Sequence, residues 1–305
     1  MKFYYYFPGR WTPINPALMS GRAHRDLAIE AERLGFEGVC LDEHPAPVEP
    51  WISGPSGHHC LDPFVALAMI AGCTTRLRLL TYLAVLAYRN PFVFTKAATT
   101  LDVVSDGRAT IGIGVGYLKG EFDAVGAKFD ERNALFEEAV EVYHLACTGE
   151  PVTFDGMHFK ADGAIMLPRP IQRPYPPLWI GGNSKLSRRR VAEFGQAWLP
   201  MPLKRTPGSP HNVPAIETSD DLRVLIDEML EHADKIGRKD PIEVVMSLRM
   251  FPKDEPYPVM VERIEELASV GVTQVTSNGD GRDLDEAMDH LRGYGEEVVA
   301  KFRPD

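Results

Sequence analysis

The chain has 305 residues, of which 44% are hydrophobic and 25% are charged, and its formal net charge is −10. Such a composition is typical of a globular protein that buries a substantial core. The acidic excess argues against nucleic acid or an anionic membrane as the main partner, because affinity for either comes chiefly from Lys and Arg side chains that neutralise phosphates.

Short apolar runs alternate with amphipathic stretches along the whole chain, a pattern that predicts strands alternating with helices. The predicted strands are 2–7, 37–41, 77–86, 109–115, 177–181, 196–200, 242–248 and 272–276. The predicted helices are 22–35, 62–74, 91–105, 130–147, 185–194, 218–236, 258–270 and 283–302. Eight such units predict a single (β/α)8 TIM barrel over residues 1–305, because eight parallel strands close without leaving an edge. Two doubly wound α/β domains are the alternative.

The first predicted strand lies in MKFYYYFPGR, where the apolar run before Pro8 is too short for a signal peptide or a membrane span. Cys40, Cys60, Cys73 and Cys147 form no C-x-x-C pair and are too sparse for a disulfide framework. We therefore expect a cytoplasmic protein that does not bind membranes.

Three predicted loops are longer than ordinary connections, and barrels place function in such loops. They comprise residues 43–61, 150–177 and 200–217. The first and third follow predicted strands and should lie on the catalytic face. The second contains TFDGMHFK, which predicts a small hairpin around Asp155 and Gly156.

The residues at the predicted strand ends limit the chemistry. No lysine is among them, so a Schiff-base mechanism lacks its nucleophile. Asp42-Glu43-His44 is the one cluster that combines carboxylate and imidazole groups. We expect no metal site at His58-His59-Cys60, because adjacent residues on an extended chain point in opposite directions. The pattern indicates an enzyme whose difficult steps belong to an organic cofactor.

A second feature is the stretch LWIGGNSKLSRRRV at residues 178–191, which passes from a predicted strand through two glycines into a predicted helix. Asn183 or Ser184 is a candidate N-cap, and the free N–H groups of a helix start attract anions. The turn alone leaves two interpretations open, an anion site and a plain strand-to-helix connection.

Four segments, in order, resemble the bacterial luciferase-like oxidoreductases that depend on flavin or on the deazaflavin coenzyme F420. They are AIEAERLGFEGVCLDEH at 28–44, RLRLLTYLAVLAYRNPFVFTKAATTLDVVSDGR at 76–108, GIGVGYLKGEFDAVG at 112–126 and PRPIQRPYPPLWIGGNS at 168–184. The resemblance covers residues 1–200 well and the remainder only through closure of the barrel.

The resemblance implies that His44 and Glu43 lie beside the cofactor ring, with His44 as hydrogen-bond donor or general acid/base. It also implies a cis non-prolyl bulge against the ring and two turns that hold the ribityl phosphate. These cofactor-binding positions are Thr81, Tyr82 and Leu83; Gly114, Gly116 and Tyr117; and Gly181, Gly182, Asn183 and Ser184.

Two chemistries are consistent with the resemblance. Reduced F420 would exchange hydride with a substrate carbon, whereas reduced FMN would use oxygen in a monooxygenase reaction. A non-catalytic flavin-binding protein is the alternative of another class. The resemblance further implies a homodimer and a flavin or F420 reductase that supplies electrons. We predict a substrate pocket that takes a small, mostly apolar organic molecule and is lined by Phe7, Trp51, His59, Met166 and Trp198.

Overall fold

The computed structural model describes residues 1–11, 13–49, 51–204, 213–252 and 254–303. The strands of this part of the chain are β1 Lys2–Tyr6, β2 Gly38–Leu41, β3 Arg78–Val85, β4 Ala109–Gly114, β5 Val152–Asp155, β6 Lys160–Ala164, β7 Leu178–Gly181, β8 Ala197–Leu199, β9 Glu243–Ser247 and β10 Gln274–Asn278. The α-helices are α1 Gly21–Arg33, α2 Pro63–Ala71, α3 Pro91–Val104, α4 Lys119–Val125, α5 Arg132–Ala146, α6 Lys185–Phe194, α7 Ser219–Lys235, α8 Tyr257–Ser269 and α9 Leu284–Glu297.

Eight strands close into a barrel in the order β1-β10-β9-β8-β7-β4-β3-β2. The predicted (β/α)8 barrel is therefore confirmed. The remaining two strands, β5 and β6, pair antiparallel outside the barrel and form the hairpin expected around Gly156. Barrel strands are apolar on both faces because helices cover one face and the barrel interior covers the other.

The chain divides into two compact units. The terminal unit comprises residues 1–8, residues 26–40 and the chain from Leu178 onward. Its strands are buried almost throughout, and β1 pairs in parallel with both β10 and β2. The Tyr4 ring contacts Trp179 edge-on at 5.5 Å between centroids. Trp198 is fully buried in β8.

The central unit comprises residues 9–25 and 41–177 and contains β3, β4 and the hairpin. The strands β3 and β4 pair in parallel, with an irregular register between Thr81 and Ala84. Outside these strands, α3 and α5 contribute buried aromatic side chains such as Phe94 and Phe136. The long first loop and the start of α4 belong to this unit, which makes it the part of the molecule that carries the acid/base cluster.

Helix boundaries follow the expected capping chemistry. Asn90 caps α3 and Pro91 occupies its first turn, where the missing N–H costs nothing. Thr218 and Asp221 form a capping box at the start of α7. Gly35 has a φ of +75° after α1, which confirms the predicted helix stop. The short helix α4 was not among the predicted helices, because it has only seven residues and one of them is Gly120. No helix of the described residues is long and apolar enough to cross a membrane.

Candidate functional site

His44 follows β2 and forms a buried pair with Glu121 of α4. Its Nδ1 lies 3.2 Å from both carboxylate oxygens, and the two side chains are 8% and 3% exposed. Because a carboxylate accepts hydrogen bonds, this contact places the hydrogen on Nδ1 and leaves Nε2 to exchange protons with a bound molecule. The pair has the geometry of a general acid/base that is oriented by a second residue.

Aromatic rings surround the imidazole of His44. The Trp51 ring lies 4.5 Å from it between centroids at an interplanar angle of 36°, and the Tyr117 ring lies at 6.1 Å. The backbone N–H of His44 donates to the Cys60 sulfur at 2.9 Å. Burial raises the pKa of the Cys60 thiol, so that sulfur is a hydrogen-bonding group here and not a thiolate.

Gly120 allows the first long loop to approach α4. A Cβ at this position would lie 2.5 Å from the Val48 side chain. The neighbouring Glu121 is thereby brought beneath the loop, where it contacts His44.

Glu43, the second predicted acid/base residue, has different partners. Its carboxylate accepts a hydrogen bond from the Val85 backbone N–H at 2.6 Å and further bonds from the Arg89 guanidinium. Burial raises the pKa of Glu43, and the hydrogen bonds from Arg89 act in the opposite direction. Arg89 also reaches Asp62, the N-cap of α2, so Glu43 is linked through Arg89 to the start of that helix. The catalytic role of Glu43 stays a prediction.

Asp42 joins His58 and Arg10 in a buried network. Its Oδ2 lies 2.5 Å from His58 Nε2 and 3.0 Å from Arg10 Nη1. Asp42, His44 and His58 each offer one potential metal-ligand atom, and these atoms lie within 4.8 Å of one another. The Arg10 guanidinium competes with any cation for the shared Asp42 oxygen, so we interpret the group as a hydrogen-bond network.

The bulge in β3 has the backbone geometry that the resemblance implied. The peptide bond between Tyr82 and Leu83 is cis, and Thr81 donates its hydroxyl to the Gly112 carbonyl at 2.8 Å. Opposite this bulge, a Cβ at Gly114 would lie 2.7 Å from Leu83 Cδ1, so a larger residue would require the Leu83 side chain to move. β3 and β4 therefore approach each other closely where cofactor contacts were predicted.

Gly116 continues this close approach after β4. Its φ is +77°, and a Cβ would lie 2.7 Å from both Val85 and Phe122. The conformation and the lack of space each require glycine. Tyr117, the next residue, is 44% exposed and contacts Trp51 at 6.5 Å between ring centroids.

The turn after β7 is held by its own side chains. Gly182 has a φ of +110°, and Ser184 caps α6 by accepting a hydrogen bond from the Ser187 N–H at 3.0 Å. Asn183 donates to the carbonyls of Met201 and Pro214 and accepts from the Met201 N–H. The structure thus realises the strand–turn–helix geometry that an anion site requires.

Basic residues follow this turn, and among them Arg188 contacts the turn itself. Arg188 donates to the Asn183 carbonyl at 2.5 Å and pairs with Glu228. Because its charge is met within the protein, Arg188 stabilises the turn.

The five predicted pocket residues have different surroundings. Trp51 covers His44, and the half-buried His59 donates its N–H to the Arg10 carbonyl at 2.9 Å. Met166 packs in a separate cluster with Ala146 and Val152 beside the hairpin. In the terminal unit, Phe7 contacts the Tyr5 ring, and Trp198 donates its Nε1–H to the Gly182 carbonyl at 2.9 Å.

Sequence reasoning missed the partners of the predicted residues. Glu121 stands 77 positions from His44, and Arg89 stands 46 positions from Glu43. Pairs so distant leave no local pattern. The one available signal for Glu121 was an acidic residue beside Phe122 after a glycine-rich turn. The choice of His58 over His59 as the inward-facing histidine was likewise set by tertiary contacts.

The fold is a closed β/α barrel, and a buried imidazole–carboxylate pair follows β2. A family model described as luciferase-like monooxygenase matches residues 1–305. The chain belongs to this family, and it is an oxidoreductase. The predicted family is confirmed.

Solved structures of known proteins share the fold. Monooxygenase RslO1 from Streptomyces bottropensis is 21% identical, with a TM-score of 0.79 over 99% of this chain and 100% of that chain. The coenzyme F420 dependent tetrahydromethanopterin reductase from Methanopyrus kandleri is 19% identical, with a TM-score of 0.74 over 99% of each chain. The oxygenating constituent of 3,6-diketocamphane monooxygenase from Pseudomonas putida, a structure in complex with FMN, is 16% identical, with a TM-score of 0.73 over 100% of this chain and 99% of that chain.

Proposed function

We propose that the protein transfers hydride between reduced coenzyme F420 and a carbon atom of a small, mostly apolar organic substrate. The observation that supports this function is the buried pair of His44 and Glu121. Hydride transfer to a carbonyl carbon leaves negative charge on the oxygen, which then requires a proton. An imidazole held by a carboxylate is suited to deliver that proton from Nε2.

The bulge of β3 lies where the resemblance to the family places the cofactor ring. Gly114 and Gly116 allow close packing there, because a Cβ would lie 2.7 Å from Leu83 at the first position and 2.7 Å from Val85 at the second. We propose that Thr81, Tyr82 and Leu83 contact the ring, which would supply the hydride when bound. In the terminal unit, we propose that the turn at Gly181–Ser184 binds a phosphate of the cofactor at the start of α6, beside the Gly182 N–H, which itself donates to the Leu199 carbonyl at 3.2 Å.

A second candidate is an FMN-dependent monooxygenase. Trp51 covers His44 and limits its contact with water, and a dry site favours oxygen chemistry over loss of activated oxygen as peroxide. Two of the similar structures are named monooxygenases, and one of them contains FMN. We rank this candidate second because an imidazole–carboxylate pair can donate the proton that the substrate oxygen needs after hydride transfer.

The deciding experiment is titration of the purified protein with F420 and, separately, with FMN. Bound cofactor is then reduced and mixed with a panel of small apolar ketones and alcohols, with and without oxygen. We expect micromolar binding of F420 and oxygen-independent oxidation of its reduced form by a ketone. Binding of FMN alone with oxygen-dependent turnover would select the monooxygenase. Cofactor binding without turnover would indicate a flavin-binding protein, and binding of neither would refute the proposal.

We also propose that the protein is a homodimer through an outward surface of the central unit. This α2–α3 face is formed by Phe64, Val65, Ala68, Val93 and Ala97. Val65 and Val93 are 73% and 66% exposed, and the nine residues of α2 include no charged side chain. A helix that is apolar all round is usually covered, and a second copy supplies a matching apolar face.

We propose that the enzyme works in the cytoplasm with a separate protein as its electron donor. All four cysteines are free thiols, which fits a reducing cytoplasm. We propose that a separate F420 reductase, or a flavin reductase in the FMN case, supplies the electrons.

A further inference from the structure

His58 is held at both of its ring nitrogens, although the acid/base pair of His44 and Glu121 does not include it. Its Nε2 contacts Asp42 Oδ2 at 2.5 Å, and its Nδ1 contacts the Ser56 carbonyl at 2.7 Å. Arg10 donates to the same Asp42 oxygen at 3.0 Å. The residues Arg10, Asp42 and His58 are 4%, 7% and 6% exposed. We call these three residues the clamp.

The clamp has strong internal bonds. Both ring nitrogens of His58 lie within hydrogen-bond distance of an acceptor oxygen. Hydrogen bonds to a charged group are roughly twice as strong as neutral ones, and a buried carboxylate that loses its partners is costly. Loss of His58 therefore removes both of its hydrogen bonds and leaves the buried Asp42 carboxylate with one partner fewer.

The clamp fastens the first long loop to the segment that precedes it. Trp11 and His58 form an isolated antiparallel bridge, and the His59 N–H donates to the Arg10 carbonyl at 2.9 Å. Gly57 allows the loop to fold tightly on itself, because a Cβ there would lie 2.0 Å from the Ile52 carbonyl oxygen. The loop leaves the barrel beside Asp42 and is tied back to Asp42 through His58.

His58 also backs the rings that cover His44. Its ring lies 4.8 Å from the His44 ring and 5.2 Å from the Trp51 ring, between centroids. His44 and Trp51 contact each other at 4.5 Å. The three rings are thus in mutual contact, and hydrogen bonds hold His58 through both of its ring nitrogens and His44 through Nδ1.

We propose that His58 is a positioning residue, which holds Trp51 over His44 and so fixes the imidazole against Glu121. This inference rests on the proposed function for the role of His44, but the arrangement itself is testable without any cofactor. The ring nitrogens of His58 do not hydrogen-bond the substrate, because both already contact the protein. Its function is to keep the acid/base pair covered and in one orientation.

The test uses the full-length, cofactor-free protein with Trp11→Phe as background. Trp179 and Trp198 are buried, so acrylamide quenching of tryptophan fluorescence then reports mainly on Trp51. His58→Phe keeps an aromatic ring but removes both hydrogen bonds. We expect the quenching constant to rise about twofold or more and amide exchange of residues 51–60 to accelerate about tenfold, because the loop opens locally.

Two further variants separate positioning from general stability. His58→Gln retains a donor for Asp42 and should restore quenching close to the parent value. His24→Phe is the matched control, because His24 is also buried and its Nδ1 also faces a carbonyl, that of Ser20. It should leave Trp51 quenching unchanged even if it lowers the melting temperature.

Unchanged quenching and exchange in His58→Phe would overturn the positioning role, as would an equal change in His24→Phe. If His58→Phe does not fold, Asp42→Asn provides the same test by weakening the charged contacts while keeping the shape. Failure of both cofactors to bind would refute the proposed function and leave this measurement intact, so the two failures are distinguishable.

Discussion

At the scale of single residues, two adjacent side chains of the predicted acid/base cluster have different hydrogen-bond partners. Glu43 and His44 are neighbours in sequence, yet Glu43 is bound to Arg89 and Val85 whereas His44 is bound to Glu121. The hydrogen bonds from the Arg89 guanidinium and the Val85 N–H occupy the Glu43 carboxylate, although burial raises its pKa. Glu121 orients an imidazole and is therefore the better candidate for a mechanistic role.

The pair of His44 and Glu121 gives the first residue-scale prediction. Replacement of His44 by Ala should lower turnover about 100-fold or more, the usual contribution of a positioned acid/base. Glu121→Gln should lower turnover in the same direction, and the double variant should be no worse than His44→Ala, because the two residues act as a unit. Single-turnover absorbance of the reduced cofactor provides the measurement.

A matched control for Glu121 is Glu138, whose carboxylate accepts backbone hydrogen bonds from residues 157–159 of the hairpin connection. Glu138→Gln should leave turnover unchanged. Cofactor affinity should be similar in all of these variants. Full turnover in His44→Ala would remove the proton role and leave His44 a structural residue.

At the scale of elements, the Ser184 hydroxyl in the turn between β7 and α6 has an observed contact, the helix cap, and a proposed one, the cofactor phosphate. Ser184 caps α6, so Ser184→Ala should lower the free energy of unfolding by about 1 kcal/mol. If the turn also binds a cofactor phosphate, the same variant should weaken cofactor binding by about 1 to 3 kcal/mol. Denaturant unfolding and cofactor titration measure the two effects separately.

Ser184→Gly is the informative companion variant. Glycine is a tolerable N-cap, so most of the stability should return. The affinity loss should persist, since the hydroxyl is still missing. If Ser184→Gly binds cofactor as tightly as the parent, the hydroxyl does not hold the phosphate, and the backbone N–H groups alone remain as the proposed ligand.

The elements also show where pattern-based prediction succeeds. The eight barrel strands were predicted because each is a short apolar run bounded by turn residues, and burial on both faces produces such a run. The helix α4 was not predicted, because its seven residues are too few to show a helical period. This omission mattered, because α4 carries Glu121.

At the scale of the whole molecule, the last α-helix is tied to the first by an ion-pair group. Hydrogen bonds from Arg33, and further bonds from Arg292 of α9, lower the pKa of Glu30 to about 2. An acid whose pKa is lowered in the folded state stabilises the fold above its ordinary pKa. That contribution is lost as the pH falls through the folded-state value.

Glu30→Gln should therefore lower the free energy of unfolding by roughly 1 kcal/mol at pH 7, less than the shift alone implies because solvent screens the pair. The difference from the parent should shrink as the pH falls from about 4.5 to about 2. Urea unfolding across this range checks the sign. Glu231→Gln, which breaks an exposed pair with Lys235, is the control and should show little effect. A difference independent of pH would contradict the linkage.

Assembly supplies the last prediction. Val65→Glu places a charge on the α2–α3 face and should convert the proposed dimer to a monomer, because a charge buried in an apolar interface is strongly unfavourable. Val224→Glu on α7 replaces a comparably exposed valine on another helix and should leave assembly unchanged. Sedimentation velocity measures both. A parent protein that is already monomeric would remove the dimer proposal.

The sequence by itself determined the barrel and the positions of the strand ends, because these features depend on the local apolar pattern and on glycine and capping positions, whereas the place of the cis peptide came from the resemblance to the family. Only the tertiary structure decided that His44 pairs with Glu121, that Glu43 pairs with Arg89 and that His58 is the histidine that faces inward. The physical reason is that such contacts join residues from separate elements. Their geometry is set by how the loops pack over the strand ends, which no local period encodes.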